Sequence, residues 1–323
     1  MSKYTVNNNA INNTYNDMIG NLVCRNVSKE YKIKGGSKMA LDNVNLELEQ
    51  GKIYGLIGRN GAGKTTLLSI ISAQNPLTVG EVKLGEETVW ENTKALQHIC
   101  FSRELNIGPS NGLANMKVKE YLKRAALYYP YWDQAYADRL VELFELDTRQ
   151  KFSKLSKGML SMVTITVAFA SKAMFTFLDE PVAGLDVVAR ENFYQLLLDE
   201  QAESGRTFVV STHIIEEAAD YLEEVIIINK GRFLLKENTV ELVERAYQVS
   251  GLESVVDEAV KGLEVHHAKK TGRGKSVAVL LKEGEYIPEG FDVTVAPMNL
   301  QNVFVALCGN EEGKRDEFVK TAE

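Results

Sequence analysis

The sequence predicts an α/β protein: a mostly parallel sheet with helices on both faces, followed by a smaller α+β unit. Three observations carry this. Over 175–228, short apolar strands (Phe175–Leu178, Thr207–Ser211, Val225–Ile228) alternate with helix-spaced segments (Arg190–Ala202, Ile214–Leu222). That alternation implies crossovers between parallel strands. The runs FVVS and VIII are continuously apolar, as strands buried on both faces must be. Upstream, the strand Lys52–Ile57 runs into a glycine-rich loop, and Lys64–Ala73 follows with helical spacing at Leu67, Leu68 and Ile71.

The other elements follow in chain order. Residues 1–20 are Asn-rich and poor in large apolar side chains, so a disordered polar tail is expected there. Leu22–Tyr31 carries apolar residues at short intervals, Gly35-Gly36 reads as a turn, and Met39–Leu48 alternates at Leu41, Val44, Leu46 and Leu48. The stretch 94–174 is helix-rich. Val118, Leu122, Ala125 and Tyr129 share one helical face, and Tyr136, Leu140, Leu143 and Phe144 mark another. After about Glu237 the texture changes. Val255–Val260, Val277–Leu281 and Phe291–Val295 predict a small α+β domain over 237–310, closed by a helix at Leu300–Leu307 and followed by a charged tail over 311–323. The larger domain is expected over 21–236.

Composition excludes several classes. The 323 residues suffice for about two domains, and 45% hydrophobic with 25% charged residues is ordinary for a globular chain. No apolar run reaches the roughly 18–20 residues that span a bilayer. A net charge of −7 argues against nucleic acid as the partner. Cys24, Cys100 and Cys308 lie far apart, without metal-ligand spacing, and read as small hydrophobes in a reducing compartment. The N-terminal segment lacks the apolar stretch of a secretory signal. His266-His267 offers no metal site, because neighbouring strand residues point to opposite faces and no third ligand is near.

Two motifs carry chemistry. The loop GRNGAGKTT comprises Gly58, Arg59, Asn60, Gly61, Ala62, Gly63, Lys64, Thr65 and Thr66, and fits the phosphate-cradling pattern G-x-x-x-x-G-K-[ST]. Its glycines let backbone N–H groups turn inward around phosphate oxygens, and the new helix adds its positive end. Lys64 can reach the β- and γ-phosphates, and the Thr65 hydroxyl can ligate Mg²⁺. A glycine turn that only caps a helix would show the same residues, but not with strand, loop and helix in this order. The second motif, FTFLDEP, ends a buried strand in Asp179 and Glu180. Asp179 can hold Mg²⁺ and Glu180 can take a proton from an attacking water.

With these residues in this order, the chain resembles the ATP-binding subunits of bacterial ABC transporters, over roughly Leu22–Leu235. LSKGM (Leu155–Met159), before an apolar helix, is similar to the family's signature; AGLD (Ala183–Asp186) to its D-loop; His213 to its switch histidine; Tyr31 to the aromatic stacked on adenine. The resemblance implies a P-loop NTPase ABC cassette with a mostly parallel core, an antiparallel β subdomain and a helical subdomain over about 94–174. It also implies that two chains sandwich ATP head to tail. Ser156, Lys157 and Gly158 of one would close the phosphates held by the other, with Asp186 near the partner's loop, Glu180 as base and His213 on the γ-phosphate.

The sequence departs from the family at two places. Lys157 and Met159 replace residues of the usual LSGGQ; Lys157 is read either as a charge at the interface or as a solvated side chain. Glu104 fills the place of the Q-loop glutamine near Mg²⁺. ALYYPYWD, Ala126–Asp133, is read either as core of the helical insert or as a docking surface for a membrane partner. LSKGM, YPYWD and the closing MNLQNVFVAL narrow the resemblance to exporter ATPases that pair with a separate membrane subunit. The expected function is ATP hydrolysis driving export of a peptide or other amphiphile, at the cytoplasmic face of the cell membrane, through a transmembrane permease and beside a second ATPase subunit. The alternative is a soluble ABC ATPase acting on a non-membrane complex.

Overall fold

The alternation at Leu41, Val44, Leu46 and Leu48 is that of a strand with one face on a core, and β2 (Gly36–Leu48) buries all four. The computed structural model describes residues 19–108 and 112–309. The tail expected over 1–20 therefore lies, but for its last two residues, outside the described residues, as does the charged tail over 311–323. The chain divides into two units. The first runs to His213 and includes Ile228–Leu235; the second takes Ile214–Ile227 and everything from Lys236 on.

In the first unit, β1 (Leu22–Ile33) pairs antiparallel with β2, setting Leu22 opposite Leu48 and Tyr31 opposite Lys38. Beyond β3 (Ile53–Ile57) and α1 (Lys64–Ile71), the same sheet continues through β4 (Val79–Leu84) and β5 (Glu87–Thr88), in the order β2-β1-β4-β5. A short α2 (Thr93–Leu96), N-capped by the Asn92 side chain, leads into β6 (Ile99–Arg103).

β3 belongs to a second sheet with β6, β7 (Phe175–Asp179) and β8 (Thr207–Thr212), parallel and ordered β3-β8-β7-β6. Every residue of β3, β7 and β8 is buried, which explains why these strands read as continuous apolar runs. Their register aligns Ile57 with Thr212, Asp179 with Ser211, and Arg103 with Asp179. The glycine loop, Glu180, His213 and Glu104 thus all leave the sheet at its carboxyl edge, where open α/β sheets bind ligands.

Between β6 and β7 lie α3 (Val118–Tyr128), α4 (Gln134–Leu143) and α5 (Lys157–Ala170), around a core of Val118, Leu122, Leu146, Phe152, Val163 and Val167. The Asp133 side chain caps α4 by accepting from Tyr136 N at 2.9 Å. The aromatic run divides. Tyr129 and Trp132 pack on the insert's core, whereas Leu127 and Tyr128 are 81% and 82% exposed. After β7 comes α6 (Val187–Ser204). The buried Arg206 guanidinium bonds Glu200 at 2.8 Å and donates to the Ala168 and Phe169 carbonyls, each at 3.0 Å, at the end of α5.

The helix expected at Ile214–Leu222 is shorter: α7 (Ile215–Ala218) and a single 3₁₀ turn. The division between the units runs through β9 (Glu224–Asn229) and β10 (Arg232–Asn238). In the second unit, α8 (Thr239–Glu244) precedes an antiparallel sheet of β11 (Ala246–Leu252), β12 (Val265–Thr271), β13 (Gly274–Leu280) and β14 (Val293–Pro297), ordered β12-β13-β11-β14. With α9 (Glu253–Ala259), it buries Val249, Val256, Val260, Val277 and Val279. α10 (Leu300–Cys308) closes the unit. Sequence periodicity missed β11 and β12, because AYQVSGL has only Ala246 and Val249 buried and VHHAKKT is mostly exposed. All three cysteines are buried and none forms a disulfide. Among the described residues no helix is long and apolar enough to cross a membrane.

Candidate nucleotide site

The glycine loop and Lys64, Thr65 and Thr66 at the start of α1 line a cleft of about 320 Å³ with Tyr31, Lys38, Ala40 and Glu180. Gly63 has φ +111°, and a Cβ there would lie 2.8 Å from the Ala40 carbonyl, so any other residue would be both strained and obstructed. Arg59, Asn60, Gly61 and Ala62 line the same cleft. Gly58 sits behind it, its carbonyl accepting from Lys64 Nζ at 2.7 Å. Tyr31, one third exposed, is fixed by Asn75 Nδ2, which donates to its hydroxyl, and by Lys29 Nζ 5.0 Å from the ring centre.

Asp179 is buried and fully engaged: Thr65 Oγ1 donates to one carboxylate oxygen at 2.6 Å and Ser211 Oγ to the other. Both donors are neutral. The pair of Thr hydroxyl and carboxylate is a set of hard oxygen donors suited to Mg²⁺. Among the described residues no group of three His, Cys, Asp or Glu could hold a metal alone. Thr65 and Asp179 supply two oxygen donors, and Mg²⁺ commonly completes its shell with phosphate and water.

Glu180 has φ +52°, a conformation that costs a non-glycine residue about 1–2 kcal/mol. Its backbone N–H is held by the Ser211 carbonyl at 3.1 Å and the Ser211 hydroxyl at 3.2 Å. Its carboxylate lies 3.8 Å from Lys64 Nζ and 2.7 Å from His213 Nδ1, a contact that requires a proton on that ring nitrogen when the carboxylate is charged. The left-handed backbone thus aims the Glu180 carboxylate at a lysine and a histidine over a phosphate-type loop. The arrangement can orient a water and accept its proton.

The residues read as the signature stand elsewhere. Ser156 caps α5, accepting from Met159 N at 3.2 Å. Gly158 packs on the AGLD loop, where a Cβ would meet the Gly184 carbonyl at 2.6 Å, and Ser161 Oγ donates to the Ala183 carbonyl at 2.8 Å. Asp186 caps α6, accepting from Ala189 N at 2.8 Å. Lys157 and Glu104 line a second, narrow cleft with Asp179, Glu180 and Pro181, and form an ion pair of 3.2 Å. The structure thus gathers the loop, Asp179, Glu180 and His213, and leaves Ser156 and Asp186 as helix caps outside both clefts. Sequence reasoning missed Lys38, Ala40 and Ser211. Ser211 had a signal, since it is a polar residue ending the buried run FVV.

Known proteins similar to this chain were found at the level of family and fold. Residues 41–183 match the family model described as ABC transporter. Over 85% of this chain and 94% of the relative, it is 26% identical to the ABC transporter ATP-binding protein YtrB of Bacillus subtilis. The Bacitracin transport ATP-binding protein BcrA of Bacillus licheniformis is 27% identical over the same shares. The relatives also include the Methionine import ATP-binding protein MetN of Francisella tularensis, 29% identical over 68% of this chain and 64% of the relative. The dimeric post-hydrolysis structure of the cassette MJ0796, bound to ADP and Pi, superposes with a TM-score of 0.59 at 27% identity, over 68% of this chain and 98% of that one. Residues 41–183 therefore match the ABC transporter family, and along most of its length the chain is similar to ATP-binding subunits of such transporters.

Proposed function

We propose that the chain powers export of a peptide or other amphiphile through a separate membrane permease, by hydrolysing ATP between two ATPase subunits. The observation that carries the reading is the placement of Glu180, strained and in contact with both Lys64 and His213, beside the glycine-loop cleft. In this reading Tyr31 stacks on the adenine, and Lys64 with the loop N–H groups takes the β- and γ-phosphates. Thr65 and Asp179, with Glu104 nearby, would hold Mg²⁺, which when bound neutralises charge on the phosphates. Glu180 accepts the proton of the attacking water, and His213 steadies the γ-phosphate. Ser156, Lys157 and Gly158 of a second copy or of a relative close the far side, with Asp186 at the seam. The assignment to peptide transport draws on the Bacitracin transport ATP-binding protein BcrA, whose similarity covers 85% of this chain. In this reading the subunit works at the cytoplasmic face of the cell membrane.

The test is the Glu180→Gln chain. Turnover should fall by about 10²–10⁴-fold, the usual contribution of a positioned base, while ATP binding is kept and a dimer accumulates. A variant that stays monomeric at saturating ATP and Mg²⁺, with its permease present, sinks the sandwich. Pull-down of that variant from solubilised membranes should recover a multi-helix membrane protein; only ribosomal or DNA-associated partners would overturn the transporter. Cells with the active subunit should accumulate less labelled peptide than cells with Glu180→Gln, and greater accumulation would mean import.

A further inference from the structure

Two of the three residues at which the chain departs from the family's pattern, Lys157 and Glu104, meet in space. Lys157 Nζ lies 3.2 Å from Glu104 Oε1. Lys157 is the first residue of α5, whose first turn contains no acidic side chain. A lysine there opposes the positive end of the helix. Glu104 follows Arg103, the β6 residue registered with Asp179, and it lines a cleft that already holds the carboxylates of Asp179 and Glu180. Alone, it would add a third negative charge where the phosphates of ATP must also be accommodated. Each substitution is unfavourable by itself, and each supplies what the other lacks.

We propose that Lys157 is a positioning residue for Glu104: the ion pair neutralises the added carboxylate and ties the segment leaving β6 to the helix end that carries Gly158. The inference rests on the ATPase reading of the site. It assigns Lys157 a partner within its own chain, and makes Glu104 a link between the metal-side strands and α5. Both side chains are more than half exposed, 55% for Lys157 and 61% for Glu104, so the pair is easily parted and its effect is modest.

The experiment is a double-mutant cycle on ATPase rate, with the Mg²⁺ dependence and thermal midpoint of each protein measured alongside. Glu104→Gln and Lys157→Gln should each lower kcat by about three- to fivefold, the scale of an exposed ion pair, and the double variant should be no slower than either. The swapped chain, Glu104→Lys with Lys157→Glu, should recover at least half of the rate lost by the worse single reversal. Multiplying single effects, or a swap as slow as its singles, overturns the pairing. A rise in half-saturating Mg²⁺ with Glu104→Gln but not with Lys157→Gln also overturns it, since Glu104 would then serve the cation independently of Lys157. If the wild-type chain hydrolyses no ATP, the ATPase reading fails separately. The cycle in thermal midpoints then judges the pair, and zero coupling there overturns it.

Discussion

The two ends of helix α5 are held in opposite ways. Its last turn is locked: Ala168 and Phe169 give their carbonyls to the buried Arg206 guanidinium, which Glu200, itself 2% exposed, neutralises at 2.8 Å. Its first turn is held by one hydroxyl cap from Ser156, the close packing of Gly158 on Gly184, and one exposed ion pair. The locked end satisfies the orphan carbonyls of the helix in a place water cannot reach, so its geometry has no alternative. The open end is solvent-facing, its lysine held only by the exposed pair with Glu104. A helix fixed at one end and open at the other is what a contact surface needs, because the surface must be presented rigidly without being used up internally.

The largest effect should come from breaking the locked end. Arg206→Met takes the guanidinium from Glu200, leaving it Lys172 at 2.8 Å and the Tyr136 side chain, and strips the donors from the Ala168 and Phe169 carbonyls. About 3 kcal/mol of stability should be lost, the low end for breaking a buried pair. Chemical denaturation checks this, and a loss under 1 kcal/mol would mean that the two ends do not differ. At the open end, Gly158→Ala must push back the Gly184 carbonyl, so about 1–3 kcal/mol should be lost. ATPase activity should fall with it, while nucleotide still binds the glycine loop by fluorescence titration. Ser156→Ala removes the cap only, and about 1 kcal/mol is expected. Equal losses from Ser156→Ala and Arg206→Met would erase the comparison.

The smallest effect is one of pH. Burial pushes the Cys24 thiol up to about 12, and pushes Cys100, which donates to Tyr129, upward as well. With the native value raised above the unfolded one, each thiol's contribution is full below about pH 9 and is lost as pH climbs through the window toward the native value. The thermal midpoint should decline from pH 9 upward, and Cys24→Ala should flatten that decline. At pH 8 the native chain should resist alkylation, since the reactive species is the thiolate. Rapid labelling of Cys24 or Cys100 in the folded protein would contradict their burial.

Much of the first unit was legible because its signals are local. The glycine loop must combine its residues within one turn, strands buried on both faces must be apolar throughout, and Asp179 and Glu180 announce themselves by ending such a strand. The second unit resisted the same reading. β12 exposes most of VHHAKKT and is held by pairing with β13 rather than by burial, so no periodicity records it. The aromatic run at 128–132 looked like one feature, yet neighbouring side chains went to opposite environments, with Tyr129 inward and Tyr128 outward.

By itself, the sequence determined the order of strand, loop and helix, the carboxylates at the end of β7 and the histidine after β8, since each depends on residues adjacent in the chain. Only the tertiary structure decided that Ser211 holds both Asp179 and the backbone of Glu180, that His213 reaches Glu180 at 2.7 Å, and that Glu104 meets Lys157. Those contacts join segments about 30 to more than 50 residues apart. They arise from strand register at the carboxyl edge of a parallel sheet, which packing sets and no local spacing encodes.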